Sequence, residues 1–254
     1  MRAGLRRLIV AFVLSIAFPV HAEITVAAAA STQPALEEIA AMFEKNGGGR
    51  VRLVFGASAN LARQIMQGAP FDIFLAADEQ SVIEVHKSGH AADEGTLYSA
   101  GRLVLFVPKG SPIKADSQLA DLARAVDDGR LRKLAIANPE HAPYGSAAVA
   151  ALKHAGLWKK VQKKLVMGEN ISQAAQYAAN GAAQAGLIAL SLAMQPNFRR
   201  AGSYAVLPDA WHPPLRQRMV LLERGGDQAR RFYTYLQQPA ARTIFEKHGF
   251  LSGD

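Results

Sequence analysis

The sequence predicts an α/β protein of two lobes, each a mostly parallel sheet flanked by helices. Three observations carry this reading. Short apolar runs alternate with helical segments of about ten residues, the signature of βαβ units. The alternation falls into two groups either side of Ser99 to Val107. Hydrophobic residues make up 50% of the chain and cysteine is absent, so the core is built without disulfides.

The elements follow in order. Ile24 to Ala29 reads as a strand, followed by the turn Ser31-Thr32-Gln33-Pro34. Ala35 to Glu44 has Leu36, Ile39, Ala40 and Phe43 on one helical face. Pro34 sits at its start, with Glu37 and Glu38 in its opening turns. Val51 to Phe55 is a strand, Gly56 to Ala59 a turn, and Asn60 to Gln67 a helix stopped at Gly68. Phe71 to Ala76 is a buried strand, and Asp78 is placed to cap a helix running to Lys87. Leu103 to Val107 is a strong apolar strand that ends in the loop Pro108 to Pro112.

Lys133 to Ala137 opens the next unit, with a polar turn to Tyr144 and an alanine-rich helix from Gly145 to His154. Leu165 to Met167 leads through Gly168-Glu169-Asn170 into a helix from Ile171 to Ala179. Gly186 to Leu190 and Arg218 to Leu222 are the last strands, and Asp227 to His248 forms two helices punctuated by Pro239. The Pro-rich stretch Pro208 to Pro214 is the expected return crossing. The first lobe is therefore expected to hold residues 23–102 and 217–254, and the second 103–216.

The chain opens with Arg2, Arg6 and Arg7, an apolar run from Leu8 to Phe18, and Val20-His21-Ala22. Basic, apolar and small-residue regions in that order make a secretory signal peptide, residues 1–22, cleaved after Ala22. The apolar run is shorter than the roughly 20 residues of a spanning helix. Without a cysteine no lipid anchor can follow the signal, so the expected address is the periplasm of a Gram-negative bacterium. Removing the signal arginines leaves 26 basic and 21 acidic residues, a net charge of +5. The densest basic cluster, Lys159, Lys160, Lys163 and Lys164, has only Trp158 beside it and reads as a solvated helix face. Nucleic acid is not an expected partner.

In open parallel sheets, ligands bind beyond the carboxyl ends of the strands. Four such turns carry hydroxyls or free amides: Ser31-Thr32, Ser58, Tyr144 and Asn170-Ile171. A helix follows each, and its first N–H groups lack internal partners and carry partial positive charge. Any one of these serines is by itself a reasonable helix cap. As a set they make a neutral-donor anion site, since no turn holds Lys or Arg. Such donors suit a fully deprotonated tetrahedral oxyanion.

Ile24 to Ser31, Leu61 to Ile65, Gly68 to Asp78, Asn138 to Gly145 and Ala241 to Phe250 together resemble the periplasmic molybdate-binding proteins of bacterial ABC importers. The resemblance runs in one order through the whole exported chain. It implies the type II periplasmic-binding fold: two α/β lobes, two crossings and a ligand enclosed between them. It further implies a ligand set of Ser31, Thr32, Ser58, Tyr144 and Ile171. In that set Ile171 offers only its backbone amide, and the molybdate oxygens are held by Ser31, Ser58, Tyr144 and Ile171. Many members place a ligand tyrosine where Ala189 stands here; another branch supplies it from the turn holding Tyr144. Tungstate, nearly the same size, is expected to bind as well.

The resemblance implies a monomeric binding component with no cofactor and no turnover. It would hand molybdate or tungstate to a membrane permease driven by a cytoplasmic ATPase; the chain itself has no Gly-Lys-Ser/Thr phosphate loop. Another tetrahedral oxyanion such as sulfate is the alternative ligand. A secreted serine hydrolase using Ser58 is a remote rival: Gly56-Ala57-Ser58-Ala59-Asn60 lacks the fifth-position glycine of a nucleophile elbow, and His212 and His248 lack a supporting motif. His86 and His90 are four apart, but Gly89 intervenes where that helix ends, which argues against a metal site.

Overall fold

The computed structural model describes residues 23–253. The expected signal peptide lies outside them, and among the described residues no helix is long and apolar enough to cross a membrane.

The chain begins with β1 (Ile24–Ala29), a tight turn at Ala30–Thr32, and α1 (Gln33–Lys45). β2 (Val51–Gly56), α2 (Ser58–Met66), β3 (Ile73–Leu75), α3 (Gln80–Lys87) and β4 (Thr96–Gly101) follow. β5 (Leu103–Pro108), α4 (Ala120–Asp127), β6 (Leu134–Ala137), α5 (Pro143–His154) and α6 (Trp158–Val161) open the second half. It continues with β7 (Leu165–Gly168), α7 (Ile171–Ala179), β8 (Ala185–Ala189), α8 (Leu190–Ala193), α9 (Pro196–Ala201) and β9 (Gly202–Val206). The chain then returns through β10 (Leu215–Leu221) to α10 (Asp227–Leu236) and α11 (Pro239–Lys247).

Two five-stranded sheets result, ordered β2-β1-β3-β10-β4 and β7-β6-β8-β5-β9. In the first, β10 alone runs against the other strands; in the second, β5 does. The reason lies in the crossings. β4 ends at the cleft at Gly101, so β5, entering the other lobe at Leu103, starts where its neighbours finish. β10 does the same on the return from β9. The remaining strands aim their carboxyl ends at the space between the lobes.

Helices cover both faces of each sheet, and central strands are accordingly apolar throughout rather than alternating. β5 is buried along its whole length, as are β6 and β8. The α1 stripe buries Ala35, Leu36, Ile39, Ala40 and Phe43 as its periodicity predicts. At the cleft the second lobe's core continues onto Ala29, Ala30, Ala57 and Ala77 of the first, so the lobes share apolar packing there.

Several boundaries differ from the sequence expectation. β10 begins at Leu215, which pairs with Gly101, so residues 215 and 216 belong to the first lobe's sheet. The sequence pattern did not reveal β4 and β9. Each is the edge strand of its sheet, β4 carrying beyond β10 just the bridge of Ala100 to Leu251, so TLYSAG and GSYAV need little apolar content. α4 was equally silent; its start is fixed by the Asp116 carboxylate, which accepts from the N–H groups of Ala120 and Asp121 at 2.8 and 3.0 Å. α1 starts at Gln33, which moves Glu37 and Glu38 beyond its first turn. Glu38 instead accepts hydrogen bonds from Lys247 and His248.

Candidate functional site

A small cavity lies between the lobes, lined by Ser31, Ser58 and Ala77 from the first and Tyr144 and Ile171 from the second, with Ala57 and Ala142 beside them. Its free volume is ≈ 10 Å³, about the room of one water. Every lining side chain is uncharged. Four element starts meet here: the turn into α1 and the first residues of α2, α5 and α7. Their N–H groups supply fixed positive potential without a cation.

Ser31 is fully buried. Its hydroxyl approaches the Tyr144 phenol yet completes a hydrogen bond with no protein group. A buried unpaired hydroxyl costs free energy unless something else satisfies it. Ser58, the first residue of α2, is also buried, and its Oγ accepts from the Ala77 N–H at 2.9 Å. That bond occupies a lone pair, while the hydroxyl proton reaches toward the Asp78 carboxylate. Neither serine caps its helix: the cap positions of α1 and α2 are Thr32 and Ala57. The capping explanation for these serines therefore fails.

Thr32 is placed differently. Its hydroxyl donates to the Ala29 carbonyl at 2.8 Å, closing the turn between β1 and α1, and it does not line the cavity. Tyr144 is the second residue of α5 and is fully enclosed. Gly145 lets that helix start approach the sheet, because a Cβ there would lie 2.4 Å from the Ala137 carbonyl. The phenol oxygen accepts from Gln217 Nε2 at 3.4 Å. Burial pushes the phenol's pKa upward, so it stays protonated and able to donate. Ile171 opens α7 behind an Asn170 cap, whose side chain accepts from the Gln173 N–H at 3.1 Å.

The structure thus brings Ser31, Ser58, Tyr144 and Ile171 together and leaves Thr32 as their backbone neighbour. Sequence reasoning missed three contributors. Ser172 and Ser191 of the second lobe donate to the Ala30 and Ser31 carbonyls at 3.2 and 2.7 Å, fastening the turn that presents Ser31. Gln217, buried on β10 behind Tyr144, is the third. The sequence pattern starts this strand at Arg218, so nothing marked Gln217 as an inward residue of β10.

Charge lies farther out. A groove of ≈ 380 Å³ between the lobes is lined by Asp78, Glu84 and Glu140 among others. Burial raises the Asp78 carboxyl above its ordinary value, against hydrogen bonds from the Ser81 N–H and hydroxyl that favour its charge. Those bonds tie Asp78 to the first turn of α3, whose cap position is Glu79 rather than the expected Asp78.

Nδ1 of His212 bonds the Pro213 carbonyl while its buried Nε2 finds no partner, and Nε2 of His248 bonds Glu38. His86 Nδ1 bonds the Ala91 carbonyl, and among the described residues no cluster of His, Asp and Glu could hold a metal ion.

Residues 24–251 match the family model for bacterial extracellular solute-binding proteins. The chain is 37% identical to the molybdate-binding protein ModA of Azotobacter vinelandii, with 90% of each chain covered. It is 35% identical to the ModA protein of Rhodobacter capsulatus over 99% of this chain and 97% of that one. Among solved structures it is similar to the periplasmic molybdate-binding protein of Azotobacter vinelandii, with a TM-score of 0.81 and 29% identity, covering 90% of this chain and 98% of that one. The sulfate-binding protein SubI of Mycobacterium tuberculosis shares the fold, with a TM-score of 0.74 at 15% identity, covering 92% of this chain and 88% of that one. The chain belongs to the family of bacterial extracellular solute-binding proteins, together with these molybdate-binding relatives.

Proposed function

We propose that the protein is the periplasmic substrate-binding component of an ABC importer, taking molybdate and, through the same contacts, tungstate. The observation that carries this is the unpaired, fully buried Ser31 hydroxyl in an uncharged cavity built from element starts of both lobes. A tetrahedral dianion would satisfy that hydroxyl, accept the protons of Ser58 and Tyr144, and take the Ile171 backbone N–H. The relatives named as molybdate-binding proteins supply the ligand's identity. The protein works as a monomer, closes on its anion by moving the lobes about the two crossings, and releases it to a permease coupled to a cytoplasmic ATPase. It performs no turnover.

Calorimetric titration of residues 23–254 with molybdate, tungstate and sulfate tests this. Molybdate and tungstate are expected to bind and sulfate to bind far more weakly. A ligand at one hundred times its Kd adds about 2.7 kcal/mol to stability, so the melting temperature should rise with the first two only. Equal shifts with all three would remove the selectivity, and preference for sulfate would reassign the ligand. Ester hydrolysis lost in Ser58→Ala would instead make the protein an enzyme.

A further inference from the structure

We infer that Gln217 is a positioning and specificity-determining residue that makes the Tyr144 phenol a donor to the bound anion. This rests on the reading of the cavity as an oxyanion site. Gln217 is a fully buried amide, and buried amides are retained only where their hydrogen bonds are met. Its Oε1 accepts from the Tyr98 phenol at 2.8 Å, and its Nε2 donates to the Tyr144 phenol oxygen at 3.4 Å. Tyr98 also reaches the Ala76 carbonyl, at 3.1 Å.

The backbone around this chain of bonds is shaped for it. β4 carries a bulge against β10: Gln217 pairs with Ser99 and Arg218 with Leu97, so Tyr98 is the extra residue. Bulges re-aim side chains, and this one serves the Tyr98 contact with Gln217. Gly101, at the end of β4, leaves the opening for the pair. A Cβ there would lie 2.1 Å from the Tyr144 phenol oxygen and 2.9 Å from Gln217 Nε2.

The chemistry follows from counting protons. A phenol has one proton, and here its oxygen already receives the amide N–H. With the amide on one side of the oxygen, the Tyr144 proton turns to the other, where the Ser31 hydroxyl and the cavity lie. With that lone pair engaged, the phenol is a poor acceptor for a proton carried by the ligand. The site therefore favours a fully deprotonated anion over one such as hydrogen phosphate. The reverse sense of the chain, with Tyr98 donating to Ala76 and Tyr144 donating to the amide oxygen, would take the proton away from the anion. Tyr98 donating to Oε1 biases the amide against it.

A double-mutant cycle read by calorimetry, with molybdate, sulfate and phosphate as probes at neutral pH, tests the inference. Gln217→Leu should lower molybdate affinity about tenfold when Tyr144 is present, and change it little in a Tyr144→Phe background. It should also narrow the preference for molybdate over phosphate. Equal losses in both backgrounds, or no loss in the first, would overturn the positioning role. If Tyr144→Phe alone leaves affinity unchanged, Tyr144 makes no ligand contact and the Gln217 role falls, while molybdate binding through Ser31, Ser58 and Ile171 stands. If sulfate binds and molybdate does not, the ligand is reassigned and the cycle is scored on sulfate. Binding of none of the three overturns both readings. Should Gln217→Leu fail to fold, Tyr98→Phe replaces it, with a smaller expected loss that must again vanish in the Tyr144→Phe background.

Discussion

Ser191 of the second lobe donates its hydroxyl to the backbone carbonyl of Ser31 in the first, at 2.7 Å and out of contact with water. The residue whose side chain is left unpaired in the cavity is thus held from behind by the opposite lobe. Ser172 repeats the arrangement on Ala30, and the Ala59 N–H donates to the His141 carbonyl at 3.2 Å on another side of the cleft. These contacts exist only while the lobes are together, so they couple closure to the placing of the donors.

Ser191→Ala should therefore weaken ligand binding without touching the ligand. One buried neutral hydrogen bond is worth about 1 kcal/mol, so a loss of roughly fivefold is expected. Small-angle scattering should show the ligand-free variant more open than the parent. Unchanged affinity and dimensions would mean that closure is set elsewhere.

Ser31→Ala and Ser58→Ala should separate affinity from stability. Each removes a donor to a charged ligand, at about 1.5–3 kcal/mol of binding. Ser31→Ala also deletes an unsatisfied buried hydroxyl, so the ligand-free protein should be as stable as the parent or more so. Ser58→Ala strands the Ala77 N–H and should cost the ligand-free protein about 1–3 kcal/mol. Urea denaturation with and without molybdate measures both, and a destabilising Ser31→Ala would contradict the unpaired assignment.

Gly101→Ala tests the space behind the site. The added methyl would press on the Tyr144 phenol and the Gln217 amide, and overpacking of this kind costs roughly 1–3 kcal/mol. Affinity should fall as well, because the displaced group is a donor. Removing the phenol oxygen with Tyr144→Phe should recover part of the lost stability. No recovery would place the clash on other atoms.

The acid limb of stability should depend on Asp121. The Arg130 side chain first, then the Lys114 N–H and Arg124, hold its carboxyl at about 2, below its ordinary 3.8. A depressed carboxylate stabilises fully above its unfolded value, and that contribution is lost as pH falls through the folded one. Stability should drop between pH 3.8 and about 2, and Asp121→Asn should flatten that part of the curve while lowering stability at neutral pH. An unchanged acid limb would assign the transition to other carboxylates.

The sequence by itself determined the layered α/β organisation, because strands buried on both faces must be apolar throughout and their covering helices must carry one apolar stripe. It also determined the turns that bear Ser31, Ser58, Tyr144 and Ile171, since the ends of such strands are where hydroxyls and helix starts are exposed together. Tertiary structure decided the rest. β4 and β9 exist because a neighbouring strand pairs with them, a relation that local composition does not encode. Thr32 and Ser31 look equivalent in sequence, yet backbone geometry turns one hydroxyl onto Ala29 and leaves the other facing the opposite lobe. Gln217 and Tyr144 lie 73 residues apart, and only the return crossing brings the amide to the phenol whose proton it directs.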